Sequence, residues 1–228
     1  MLTKLATVAY LATVAITCVK TDYFEEPDNR AWVAAPVTLL GLLLLVFDRN
    51  RPSDSRTVYG LGLITCGIAD YVINHGHFIT GAALFGVGHI FYIVSIIDQV
   101  KKWWSGLVLG SYAFAVVIDI ICFHDKIVDQ PIEISVLVTY SFILITVFIM
   151  AGSIWYHQDA KDLQSPSKIR FIGFALFILS DSVIILHRVS VTIPYALQII
   201  FATYYAAQLF IFLGNYHSDL HTSAKKTL

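Results

Sequence analysis

Apolar runs of membrane-crossing length follow one another along almost the whole chain, at 2–19, 32–47, 57–74, 78–97, 104–122, 133–155, 169–187 and 193–214. A helix crossing about 30 Å of hydrocarbon at 1.5 Å per residue needs about 20 apolar residues. Inside lipid an open chain has no partner but itself for its backbone N–H and C=O groups. The pattern predicts an all-α polytopic membrane bundle of eight transmembrane helices, the second the shortest and rich in leucine. Composition agrees, with 57% hydrophobic and 14% charged residues among 228 and a mean hydropathy of +0.72, above the apolar share of a soluble domain. The longest connections, Lys20–Ala31 and Tyr156–Lys168, are too short to fold alone. One transmembrane domain over 1–228 is expected, ending in a tail at 215–228.

A formal net charge of -1 and a pI near 6.7 exclude a nucleic-acid footprint. Cys18, Cys66 and Cys122 fall in apolar runs without disulfide or metal spacing. The first run has Lys4 ahead of Leu5–Val19, as a signal peptide would, but no small-x-small site follows it, so it reads as an uncleaved first helix.

If the helices alternate in direction, eleven of the fifteen lysines and arginines collect on the side of both termini, and Lys20, Arg30, Lys126 and Arg188 on the other. The positive-inside rule then makes both termini cytosolic. The chain ends Ala224-Lys225-Lys226-Thr227-Leu228, similar to the dilysine signal that coat proteins read in endoplasmic reticulum membrane proteins, which must be cytosolic.

Two aspartates interrupt the apolar runs. Asp70 ends Thr65-Cys66-Gly67-Ile68-Ala69-Asp70, and Asp181 ends Phe177-Ile178-Leu179-Ser180-Asp181. Each lies about a dozen residues from a basic helix start, hence at similar depth. A carboxylate inside a membrane costs at least about 2.5–3.5 kcal/mol, so it is retained where it meets a partner, water or substrate. Their spacing of 111 residues is close to half the chain and equals four helices. An even number makes the halves, 1–110 and 111–214, parallel repeats with a site where they meet. Around the pair, His89 and Tyr92 share a face of the fourth helix, and Tyr204 and Gln208 a face of the eighth; these four are the candidates for positioning substrate. Asp119 lies near a helix end, His75 and His77 flank Gly76 in a turn, and His217 and His221 are spaced i, i+4 without a third ligand. No metal site is expected.

These segments resemble the YhhN-type lysoplasmalogenase family. Its F-x-x-x-H-x-x-Y is matched by Phe85-Gly86-Val87-Gly88-His89-Ile90-Phe91-Tyr92, its G-x-x-x-F-x-x-S-D by Gly173 through Ser180-Asp181, and its Y-x-x-A-Q by Tyr204-Tyr205-Ala206-Ala207-Gln208. Ala69 replaces the glycine usual before the first aspartate, and a lysine common before the proline of the second helix is absent around Pro36. The resemblance covers essentially the whole chain. It implies hydrolysis of the vinyl-ether bond of lysoplasmalogens, lysophospholipids drawn from the membrane, to a fatty aldehyde and glycerophosphoethanolamine or glycerophosphocholine, with no soluble cofactor.

Vinyl-ether hydrolysis needs an acid and a negative charge, because protonation at carbon gives an oxocarbenium ion. Paired carboxylates divide such roles in glycosidases, so Asp70 and Asp181 are expected to do so here. Asp70, among Ile68, Val72 and Ile73, reads as the acid; Ser180 and Ser182 read as stabilising Asp181 as the anion. The alternative from the same residues is a proton-coupled transporter or a lipid-sensing receptor, since intramembrane carboxylates at a repeat interface also couple ions.

Overall fold

The computed structural model describes residues 2–25, 27–47, 54–189 and 191–226, with side chains over 3–25, 31–46, 54–188 and 191–218. All regular structure among the described residues is helical: α1 (Leu2–Lys20), α2 (Ala35–Phe47), α3 (Asp54–Asn74), α4 (Phe78–Ile96), α5 (Ser105–Phe123), α6 (Pro131–Tyr156), α7 (Lys161–Val189) and α8 (Ala196–Lys226). Seven of them are long and apolar enough to cross a membrane, which makes this a multi-pass membrane protein.

The exception is α2, with 13 residues directly preceded by a 3-10 segment, Pro27–Ala34. The expected helix over 32–47 is shortened because Pro36 has no N–H to return to the carbonyl four residues earlier. That carbonyl, on Trp32, instead accepts Thr17 Oγ1 of α1 at 3.1 Å. The neighbouring Val33 carbonyl accepts Tyr205 Oη of α8 at 2.8 Å. The irregular turn is thus stitched to its neighbours by side-chain hydroxyls, as backbone in a membrane requires.

Two helix pairs pack most extensively, α3 on α4 and α7 on α8, with α6 bridging α4 and α7. Apolar side chains gain nothing by leaving lipid for one another, so close packing comes from small residues that let backbones approach. A Cβ on Gly173 would stand 2.8 Å from the Ile211 backbone N, and one on Gly214 would stand 2.7 Å from the Pro166 carbonyl. By contrast, α5 and much of α1 lie at the margin, exposing Leu109, Ile121, Val8 and Val19 as an apolar surface for lipid.

Aromatic residues mark the ends of the bundle. Trp104 stacks on Tyr156 at 4.4 Å and 9°, and its backbone N–H donates to Ser153 Oγ at 3.0 Å, next to Lys101, Lys102 and exposed Trp103. Tyr23, Trp32 and Tyr195 are exposed at the turns joining α1 to α2 and α7 to α8. Both sets suit the level of lipid headgroups.

Gly173→Val is expected to force α7 off α8 and to destabilise the protein by about 1–3 kcal/mol, read as a lower thermal-unfolding midpoint in detergent. Gly110→Ala, whose added methyl would meet nothing within 4 Å, is expected to leave the midpoint unchanged.

Candidate active site

Near the ends of α1, α3 and α7 and the starts of α4 and α8 the bundle opens into a groove. Asp70 and Asp181 both line it, brought there by α3 and α7. Asp70 is 5% exposed, while Asp181 is half-buried. A carboxylate in such surroundings needs hydrogen-bond donors, and in both cases a tyrosine supplies one. Tyr204 Oη of α8 donates to Asp70 Oδ2 at 2.7 Å, and Tyr140 Oη of α6 donates to Asp181 Oδ2.

Behind Asp70 the donation continues as a chain. Tyr92 Oη donates to Gln208 Oε1 at 2.9 Å, and Gln208 Nε2 reaches Tyr204 Oη at 3.3 Å. Every hydrogen along this line points toward Asp70, so the chain as a whole favours negative charge there. Tyr92, Tyr204 and Gln208 are all buried, and the α4–α8 contact is fixed through them.

A second, narrower space lies between α4, α5, α6 and α7. Its walls are almost wholly apolar, with Phe114, Ile118, Leu137 and Ile178 among them. Phe78, Phe85 and Asp181 line both cavities. An apolar chamber and a groove richer in polar side chains therefore share one carboxylate. Asp119 also lines the chamber, accepting Ser141 Oγ at 2.7 Å.

The other sequence candidates divide. Tyr204 lines the groove, but His89, Tyr92 and Gln208 line neither cavity. His89 is fully buried beside Tyr140 and edge-on to Phe177, with ring centroids 5.7 and 4.6 Å away. Its Nδ1 lies 2.8 Å from the Phe85 carbonyl, which can only accept, so Nδ1 carries the proton and Nε2 is left a buried acceptor without a partner. Ser180 does not support Asp181: it donates to the Ile200 carbonyl at 3.0 Å, tying α7 to α8. His75 and His77 are exposed in the turn between α3 and α4, His75 stacked on Tyr71. His217 is exposed, whereas the side chains of His221, Lys225 and Lys226 lie outside the described residues.

Sequence reasoning missed Tyr140 and Phe85 as site residues. The signal for Tyr140 was the polar triplet Thr139-Tyr140-Ser141 within apolar α6, of which two members hydrogen-bond aspartates. Phe85 opened a quoted motif, yet only the structure reveals it standing edge-on to Tyr204 and Phe177 at the junction of the cavities.

A model described as the YhhN family matches residues 30–215. Lysoplasmalogenase TMEM86A from Homo sapiens is 25% identical over 208 residues, covering 87% of this chain and 84% of the relative. The protein of the same name from Bos taurus is 25% identical over 217 residues, with the same coverage of 87% and 84%. No solved structure matches the chain.

Gln208→Leu is expected to strand the buried Tyr92 hydroxyl and to destabilise the protein by about 1–3 kcal/mol. Thermal unfolding in detergent measures the loss, with half-buried Thr203→Val as the comparison expected to stay near the parent midpoint.

Proposed function

The chain belongs to the YhhN family, and from that premise we propose that it hydrolyses the vinyl-ether bond of lysoplasmalogens, releasing a fatty aldehyde and glycerophosphoethanolamine or glycerophosphocholine. The observation that carries this reading is the meeting of an apolar chamber and a polar groove at Asp181. A single-chain ether lipid has the same division, with its vinyl ether at the boundary between tail and head. The alkenyl tail lies in the chamber, the glycerophosphoryl head in the groove, and the reacting bond between them. The names of the human and bovine relatives support the same chemistry.

In the proposed reaction Asp181, at the junction, gives its proton to the alkenyl carbon one removed from the ether oxygen. The carbon–carbon π electrons form the new C–H bond, and an oxygen lone pair completes the oxocarbenium ion. Asp70, in the groove and supplied with a donor by Tyr204, takes a proton from the water that adds to the carbon next to oxygen. The hemiacetal then collapses: its hydroxyl proton passes to the glycerol oxygen as that carbon–oxygen bond breaks, and the aldehyde forms. Proton exchange through groove water returns the Asp70 proton to Asp181. This reverses the division of roles expected from sequence neighbours, because access to the junction outweighs the apolar character of residues adjacent in the chain. General acid and base catalysis each account for about 10²–10⁴-fold in rate.

Tyr140 and Tyr204 orient the two carboxylates, and His89 holds Tyr140 from behind. The two halves, 1–110 and 111–214, read as parallel repeats, a reading supported by the matching close pairs α3–α4 and α7–α8. With both termini cytosolic, the groove opens on the opposite, luminal face, and Lys225 and Lys226 act as a retrieval signal for the endoplasmic reticulum.

Purified protein in detergent is expected to release aldehyde from lysoplasmenylethanolamine and none from the saturated alkyl ether or an acyl lysophospholipid. Asp181→Asn and Asp70→Asn should each lower the rate by at least about 100-fold; full activity in either would sink the scheme. For topology, an Asn-x-Ser acceptor built into the connection at 126–130 is expected to be glycosylated in cells, and one appended after Leu228 is not. The opposite pattern would place the groove in the cytosol.

A further inference from the structure

The rim of the groove carries two opposite charges. Arg188, in the last turn of α7, lines the mouth with its guanidinium 4.0 Å above the Phe78 ring. Phe78 itself also lines the apolar chamber. Among the described residues Arg188 meets no carboxylate within salt-bridge distance, and it lines the groove with its charge unneutralised by an ion pair. Stacking on an aromatic face holds an arginine while leaving its edge free to bind oxyanions.

Glu25 lines the same groove from the connection after α1. Its position is built rather than incidental. Asp22, Tyr23 and Phe24 all have positive φ values, of 42°, 53° and 74°, a left-handed run that side-chain-bearing residues adopt only when held there. The holding contacts are present: Thr21 Oγ1 accepts the Phe24 N–H at 3.1 Å, and the Phe24 ring stacks on Phe201 at 4.4 Å. Gln198 Nε2 of α8 then donates to Glu25 Oε1 at 3.0 Å. Glu25 and Arg188 do not pair with each other, so each keeps its charge for a ligand.

We propose that Arg188 and Glu25 form a subsite for a zwitterionic phospholipid head, Arg188 taking the phosphate and Glu25 the ammonium. The assignment rests on the lysoplasmalogenase reading for its substrate and adds the residues that select the head. A singly charged or neutral lipid would leave one of the two rim charges uncompensated inside the groove, which is what makes the subsite selective. His187 and Asn74, also on the groove wall, supply polar edges for the glycerol between.

The test combines kinetics with a binding measurement that needs no turnover. Aldehyde release would be followed for alkenyl-glycerophosphoethanolamine and for alkenylglycerol, which has no phosphate. Arg188→Gln is expected to raise KM for the phospholipid roughly 10-fold to 100-fold, the range for lost hydrogen bonds to a charged group, with kcat and the alkenylglycerol reaction unchanged. Arg188→Lys should recover part of the loss, and Glu25→Gln should raise KM for the phospholipid alone. In parallel, the non-hydrolysable alkyl-glycerophosphoethanolamine should raise the thermal midpoint of the parent protein but not of Arg188→Gln. If the parent releases no aldehyde while this analogue still binds through Arg188, the catalytic reading falls and the subsite stands. Equal KM values, equal midpoint shifts, or parallel losses on alkenylglycerol would overturn the subsite. So would protection by inorganic phosphate alone that disappears in Arg188→Gln, which would mark a free-anion site instead of a lipid one.

Discussion

Two carboxylates inside an apolar bundle impose a demand that the rest of the molecule is arranged to meet. Neither Asp70 nor Asp181 draws its hydrogen bond from its own helix; each takes it from a tyrosine on a neighbour, α8 in one case and α6 in the other. A phenol is suited to this, since it buries a large ring among apolar side chains and offers one donor at its tip. Each bond therefore satisfies a costly group and fixes the position of a helix. The chain from Tyr92 through Gln208 extends the second effect to α4.

The same economy governs the backbone. Where Pro36 breaks the ladder before α2, the exposed carbonyls are taken by Thr17 and Tyr205. Where α7 meets α8, glycines bring backbone to backbone, because without a hydrophobic drive between helices it is contact at short range that holds them. The tight α7–α8 and α3–α4 pairs leave a looser region between α4, α5, α6 and α7. The apolar chamber lies there, against the peripheral helix α5. An apolar space is thus a consequence of unequal packing, and Asp181 lies on its wall.

Much was legible in the chain itself. Helix count and class follow from apolar run length, and the two aspartates stood out because hydrocarbon penalises charge. Where the reading missed, the cause is consistent. Ser180 looked like a partner for Asp181 because the two are adjacent, but adjacent residues on a helix diverge by about 100°, and its hydroxyl goes to α8. His89, Tyr92 and Gln208 were grouped with the aspartates by polarity, yet they stand behind the site and not in it. Tyr140 was overlooked because a tyrosine within an apolar run is unremarkable until a carboxylate faces it.

What the sequence by itself determined is the membrane class, the helical periodicity and the presence of buried charge, since these depend on run length, composition and the cost of each residue in lipid, all of which are local. Tertiary structure alone decided which tyrosine serves which aspartate, that Asp181 stands between an apolar chamber and a polar groove, and that Arg188 and Glu25 face one opening from opposite parts of the chain. Those facts depend on how helices far apart in sequence rotate and tilt against one another. That is set by side-chain packing summed over the whole bundle, which no single segment carries.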